Sequence, residues 1–278
     1  MEKEKKYKIV ASDLDGTLLG DDQRISKENL RAIKEMRSYG VEFVPTTGRT
    51  LSEIPKELIE SQDVRYIITS DGGAVWDKAL GKMVLTYYIP KETVEFIFNT
   101  VKPYNTYWLV HESGDNHYHV EKHNAAFLDQ CRVGQSFRNI VNACAVAIED
   151  FDGFLKRSNA IEMICIFFES DEALAECKRI FMESGNLCVA QSDKNNIEIY
   201  CSAAGKGNTL AALAAALGVD RSEVIAVGDS DNDVTLIKTA GLSLAMGNAT
   251  DELKAIADRV ICKNSEHSAR YILDNFIK

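Results

Sequence analysis

Long hydrophobic runs are what this sequence most clearly lacks. The longest, residues 210–217, falls well short of the ~20 residues that a helix needs to cross a bilayer. The first ten residues are rich in Lys and Glu and hold no apolar stretch of the secretory kind, so neither a targeting nor a membrane segment is expected. Positive charge is also scarce: 32 Lys and Arg stand against 42 Asp and Glu, for a formal net charge of −10. An acidic surface makes nucleic acid and anionic membrane poor partners, and neither is expected. It leaves an anionic substrate open, because a bound cation can invert the charge of a small site. The seven cysteines never reach CxxC spacing, which removes the common zinc and redox motifs and fits reduced thiols in the cytoplasm. Of the five histidines, His111, His117, His119 and His123 crowd into one stretch, too localised to serve a Ser–His–Asp arrangement. Internal repeats and low-complexity tracts are absent from the sequence too.

What the sequence does have is an ordinary globular make-up, with 45% hydrophobic and 27% charged residues among 278, enough for two domains. Its first 80 residues alternate strand and helix. Tyr7-Lys8-Ile9-Val10-Ala11 reads as a strand running into Ser12-Asp13-Leu14-Asp15-Gly16; Leu30, Ile33 and Met36 repeat at helical spacing ahead of Gly40. Val41-Glu42-Phe43-Val44 is a second strand, residues 50–61 a helix, and Tyr66-Ile67-Ile68-Thr69 a third strand ending at Asp71-Gly72-Gly73. Such alternation predicts a parallel sheet with crossover helices. The rhythm then breaks. A hairpin is expected from residues 106–110 and 117–120 around Ser113-Gly114-Asp115-Asn116, followed by a buried strand at 163–168 and a helix over 171–184. His117 and His119 share one strand face, read as a solvated face with aromatic packing behind it. The strand–acidic-turn pattern returns at Val224-Ile225-Ala226-Val227-Gly228-Asp229. The expected fold is therefore α/β: a Rossmann-like parallel sheet with helices on both faces, formed by residues 1–81 and 191–278. An α+β domain, residues 82–190, is inserted between the halves.

Strands of a parallel sheet end at a common edge, where ligands bind. Three predicted strands end in polar groups: Asp13 and Asp15; Thr46 and Thr47; then Asp229, Asp231, Asn232 and Asp233. Lys206 joins them at a helix start. Several carboxylates in a small space repel one another and call for a cation or raised pKa values. Mg²⁺, a hard cation with oxygen ligands, suits an Asp-rich site that keeps positions open for water and phosphate. With Lys and Thr as anion donors, the set describes phosphoryl chemistry. One Asp would attack phosphorus, and another two residues on would move the proton. Two competing motifs fail on inspection. Asp229, Asp231 and Asp233 open like an EF-hand loop, but Val234 and Ala240 stand where Gly and Glu belong. Gly205-Lys206-Gly207 lacks the earlier Gly and the following Ser/Thr of a P-loop.

These motifs, in this order, resemble the haloacid dehalogenase superfamily. Asp13-Leu14-Asp15-Gly16-Thr17 is similar to its DxDGT signature, Thr47-Gly48-Arg49 to its second motif, Lys206-Gly207 to its third and Gly228-Asp229-Ser230-Asp231-Asn232-Asp233 to its fourth. The long insert, and Asn248-Ala249 after Ala245-Met246-Gly247, resemble the Cof-type sugar-phosphate phosphatases. The resemblance implies Asp13 as nucleophile and metal ligand, and Asp15 as general acid/base with its carbonyl on Mg²⁺. It implies Asp229 as a further ligand and Asp233 as support for the metal. Thr47, Lys206 and Asn232, with the backbone N–H groups of Leu14 and Gly48, would hold the phosphoryl oxygens. Thr17 would supply a supporting hydroxyl. The insert would be a cap that selects the leaving group and excludes water. The expected activity is Mg²⁺-dependent hydrolysis of small phosphorylated metabolites through an Asp13 phosphoester; oligomeric state is left open, and a monomer satisfies it. A phosphomutase or transferase would share the intermediate, and a phospho-aspartate signalling protein would share the acidic cluster. Asp71-Gly72 departs from the family's usual Asn-Gly; Asp71 has two readings, a changed polarity near the substrate and a turn former, and the turn is preferred.

Overall fold

The computed structural model describes residues 7–185 and 187–278, so the charged stretch 1–6 lies outside the described residues. Two compact units emerge, one taking the chain up to Gly48 with Ile54–Leu85 and Gly205–Lys278, the other Arg49–Glu53 with Thr86–Ala204.

The first unit is built on five parallel strands in the order Arg259–Val260, Leu242–Ala245, Val224–Gly228, Ile9–Ser12 and Glu42–Pro45. Ile9–Ser12 and Val224–Gly228 are buried along their whole length, as expected for strands covered on both faces. Register fixes the site: Ser12 lies level with Val227 on one side and Pro45 on the other. The ladder continues one step further through Asp13 N–H to the Val227 carbonyl (3.0 Å) and Thr46 N–H to the Ser12 carbonyl (2.8 Å). Residues 13, 46–47 and 229 therefore leave the sheet along one edge. Helix Lys27–Ser38 starts where the Ser26 hydroxyl accepts the Asn29 N–H, and buries Ala32, Ile33 and Met36.

Two local expectations are corrected in and beside this unit. Tyr66–Thr69 is not a further strand of the parallel sheet. It pairs antiparallel with Ala74–Asp77 in a three-stranded sheet and meets the parallel one through a single bridge, Thr46 to Ile68. The cause is a tight turn at Ser70–Gly72, which reverses the chain before a crossover can begin. The helix expected over 50–61 is split into one turn at Leu51–Glu53 and a short helix at Lys56–Glu60. Pro55 has no N–H to donate and disfavours the helical conformation at Ile54.

In the second unit, six strands run in the order Leu187–Ala190, Asn196–Cys201, Ile161–Phe168, Thr106–Glu112, Asp115–His119 and Val146–Ile148. Alternate residues serve opposite faces. Trp108, Val110, Ile164, Ile166 and Phe168 pack with Ile97, Leu174 and Phe181 on one side. Tyr107, Leu109, Cys165 and Phe167 pack with Leu128 and Val141 on the other. Cover on both faces explains why Ile161–Phe168 is buried throughout and reads as an unbroken apolar run. The hairpin turn is tighter than expected: Ser113 and Gly114 alone form it, at φ 53° and 90°, and Asp115 and Asn116 join the return strand.

The face carrying His117 and His119 is not solvated. His117 lies on the Phe154 ring (centroids 5.0 Å apart) and His119 stacks on Phe151 (5.5 Å), both phenylalanines belonging to helix Phe151–Arg157. His123 is held between the Tyr107 hydroxyl (2.8 Å) and Asn142 (2.9 Å).

Candidate active site

At the end of the first strand the chain enters a loop, Leu14–Leu18, closed by the Leu19 N–H on the Leu14 carbonyl at 2.8 Å. Leu14 sends its side chain into the core, so what it offers the site is backbone. Gly16 sits at φ 74°, and a Cβ there would lie 2.4 Å from Asp229 Oδ2, so both conformation and space demand glycine. That close approach brings the first and fourth motifs together. Thr17 seals them: its hydroxyl donates to Asp229 Oδ1 at 2.9 Å. Asp15 points outward and is exposed, unlike Asp13, which is 4% exposed.

Lys206 opens helix Lys206–Ala216 and is 1% exposed. Its ammonium donates to Asp13 Oδ1 at 2.8 Å and to Asp233 Oδ1 at 2.7 Å, with Asp71 Oδ1 3.8 Å away. Burial alone would lower the Lys206 pKa, but Asp13, Asp233 and Asp71 outweigh it and hold the group charged, well above its ordinary value. Asp13 is pushed well above the usual carboxylate range, first by burial and then by Asp233, Asp229 and Asp15, with Lys206 opposing. Asp229 is raised to about 6, by burial and by Asp233. These shifts mark an excess of negative charge that one ammonium does not neutralise.

Asp13, Asp229 and Asp233 bring carboxylate oxygens within 4.8 Å of one another, the one such group of His, Cys, Asp and Glu found among the described residues. The donor set is all oxygen and anionic, and the upward shifts of Asp13 and Asp229 are those a divalent cation would relieve, so these residues fit a hard metal ion. Asp233 is the most committed of the three. Beyond Lys206, its Oδ2 accepts the N–H groups of Asp229 (2.9 Å) and Ser230 (3.2 Å), which shapes the loop carrying Asp229. Asp15 is not in the group of three; its charge acts on Asp13 and Asp229 from outside.

The remaining sequence-predicted residues border this cluster. Thr47 is buried beside Gly48, with its N–H on the Ile68 carbonyl (3.0 Å) and its carbonyl accepting the Asp71 N–H (3.1 Å). Asn232 accepts the Ser230 hydroxyl at 2.7 Å and directs its amide N–H at Asp71 Oδ1, 3.4 Å away.

Sequence reasoning gave two residues too little weight. Asp71, read as a turn former, does form the turn, but its carboxylate also enters the cluster through Lys206 and Asn232. The signal was present in an acidic residue at the end of a strand, the same signal that exposed Asp13 and Asp229. Asn248, noted only as part of the resemblance, donates to the Gly16 carbonyl at 2.8 Å and so braces the first loop. The segment after Lys263 adds to this brace: Asn264 reaches Asn248 Oδ1 (2.9 Å) and the Leu19 carbonyl (3.2 Å), and Ser268 reaches the Thr17 carbonyl (2.9 Å).

Comparison with known proteins gives a consistent answer. A family pattern described as haloacid dehalogenase-like hydrolase matches residues 10–273. Among curated relatives, a 5-amino-6-(5-phospho-D-ribitylamino)uracil phosphatase of Bacillus subtilis is 31% identical over 261 residues, covering 93% of this chain and 91% of its own. A second Bacillus subtilis phosphatase of the same description is 29% identical, covering 97% and 98%. Among solved structures, a haloacid dehalogenase-like hydrolase from B. subtilis superposes with a TM-score of 0.82 at 26% identity, covering 96% of this chain and 99% of that one.

Proposed function

Because the chain belongs to the haloacid dehalogenase-like hydrolases, we propose that it is a phosphatase of small phosphorylated metabolites, working through a phosphoester on Asp13 with Mg²⁺ as its cofactor. One observation carries this reading: a buried Lys206 bridges Asp13 and Asp233 while Asp229 stands within metal-sharing distance of both, at one edge of a parallel sheet. The two relatives named as phosphatases of a phosphorylated ribitylamino-uracil support the substrate class. Family membership supports metal dependence, and the small, hard, all-oxygen donor set supports Mg²⁺. Seven free cysteines support a cytoplasmic setting.

Asp13, Asp229 and Asp233 would hold the metal, with the Asp15 carbonyl; when bound, it supplies positive charge to the phosphoryl oxygens. Lys206, Asn232, Thr47 and the backbone N–H groups of Leu14 and Gly48 would orient those oxygens. In the first half-reaction an Asp13 carboxylate oxygen bonds to phosphorus and the bond to the leaving oxygen breaks, while Asp15 hands that oxygen a proton. In the second, Asp15 takes a proton from water as the water oxygen bonds to phosphorus. The Asp13–phosphorus bond breaks and phosphate departs. The exposure of Asp15 supports both proton transfers, since it can meet a leaving group and then a water. The first unit holds the phosphoryl-handling groups, and we assign the second unit the choice of leaving group.

Phosphate release from a panel of phosphorylated metabolites, with Mg²⁺ and with EDTA, tests this. Mg²⁺-dependent release is expected, abolished in Asp13→Asn; near-normal turnover by that variant would sink the mechanism.

A further inference from the structure

Ser70, Asp71 and Gly72 take φ values of 51°, 49° and 92° in succession. Two consecutive non-glycine residues in this region are costly and persist only where the surroundings enforce them. Here they do. The Gly72 carbonyl accepts the Thr209 hydroxyl at 2.7 Å, and the Gly205 backbone lies 2.5 Å from where a Gly72 Cβ would stand. The Asp71 N–H is tied to the Thr47 carbonyl at 3.1 Å and the Gly73 N–H to the Ser70 carbonyl at 2.9 Å. The turn is thus clamped between the Thr47–Gly48 loop and the start of helix Lys206–Ala216.

The strained turn aims one buried carboxylate. Asp71 is 1% exposed; its Oδ1 lies 3.4 Å from Asn232 Nδ2, 3.8 Å from Lys206 Nζ, and 3.3 Å from where a Gly48 Cβ would project. Lys206, Asn232 and the Gly48 backbone are three of the donors assigned above to the phosphoryl oxygens. Lys206 and Asn232 share this one carboxylate, which is neither the nucleophile nor one of the three clustered metal-site acids, and the Gly48 backbone passes close beside it.

We infer that Asp71 is a positioning residue that lines up Lys206 and Asn232 in the resting enzyme and, by competing for the same donors, weakens the hold of the site on a phosphate dianion, so that the product leaves. An asparagine here would keep the shape and the turn but not the charge. The inference rests on the phosphatase reading. Repulsion between a carboxylate and a dianion that face the same donors, in a site partly screened by water and ions, supports a change of about tenfold in phosphate affinity.

The test is the inhibition constant of inorganic phosphate against p-nitrophenyl phosphate, measured on the full chain loaded with Mg²⁺. Asp71→Asn should lower that constant and KM together by about tenfold without raising kcat, because release becomes slower. Loss of a merely structural residue would instead raise KM and lower kcat. Should the asparagine variant fail to fold, Asp71→Gly accepts the positive φ without a carboxylate: the inhibition constant should still fall, and kcat should drop as well because Lys206 and Asn232 lose the side chain that lines them up. An unchanged or larger inhibition constant in a folded variant overturns the role of Asp71 and leaves the phosphatase reading intact. A wild-type enzyme that neither hydrolyses the ester nor binds phosphate overturns both.

Discussion

Both units bury acidic side chains, but they do so differently. In the first, Asp77 is answered by Arg65, but at the sheet edge Asp13, Asp71 and Asp233 surround one ammonium, with Asp229 beside them. In the second, each buried acid is answered locally: Glu162 accepts the Gly114 N–H at 3.1 Å, Glu198 accepts the Ser192 hydroxyl at 2.5 Å, and Glu53 accepts the Thr50 N–H (2.8 Å) and the Asn116 amide (2.7 Å). A carboxylate paired with a nearby neutral donor completes a turn or a strand end. Carboxylates set against one another leave a charge that the protein alone does not balance, and such imbalance marks sites of chemistry. Burial of charge is common to both units; only its compensation separates scaffold from site.

The hardest test of this contrast removes the ammonium. Lys206→Met leaves Asp13, Asp71 and Asp233 buried without a cation, and breaking a buried ion pair from one side costs about 3–5 kcal/mol. Urea unfolding of the metal-free variant should show a loss of this order, together with loss of turnover. A variant as stable as the parent would mean that the acids protonate or hydrate freely, and the contrast would fail.

In the second unit the corresponding sensitivity is to acid. His111 is buried and held neutral, its pKa lowered to about 4 by desolvation, with Glu53 opposing and His117 assisting. Below its ordinary value near 6.5, the unfolded chain takes up a proton that the folded one refuses. Stability is therefore lost as pH falls from about 6.5 to 4, by about 3 kcal/mol once the fall is complete. Unfolding free energies at pH 7 and pH 4 should show this loss, and His111→Gln should remove its share. An equal pH slope in the variant would show that His111 is protonated without unfolding.

Metal should act on the first unit's imbalance. At a Mg²⁺ concentration 100 times the dissociation constant, binding to the folded state alone adds about 2.7 kcal/mol. Thermal melting with Mg²⁺ and with EDTA should differ accordingly, and Asp229→Asn should abolish the difference. A gain that survives this substitution would place the cation elsewhere.

The same contrast explains what could be read from the sequence. The meeting of Asp13, Lys206, Asp229 and Asp233 was legible because their residue types stand at strand ends and a helix start, positions that local pattern reveals. The place of Asp71 beside Lys206 and Asn232 was not, since those residues lie far away in sequence and are brought near by the clamp of Gly72 against Gly205. The covered face of His117 and His119 was hidden for the same reason: the phenylalanines that cover it belong to helix Phe151–Arg157, and no local periodicity says where that helix packs. The break in the helix expected over 50–61 was legible, because Pro55 stood in plain view.

The smallest effect is expected where an acid is answered by its own surroundings. Glu162 is fully buried, yet its Oε1 serves the Gly114 N–H in the hairpin turn. Glu162→Gln keeps a carbonyl oxygen for that N–H and removes only the charge. A hydrogen bond to a charged group exceeds a neutral one by roughly 1 kcal/mol, so the loss should be of that size, with turnover unchanged. Urea unfolding and steady-state kinetics of the same preparation measure both. A loss as large as that of Lys206→Met would show that the second unit also carries an unbalanced charge, and that its acids are more than scaffold.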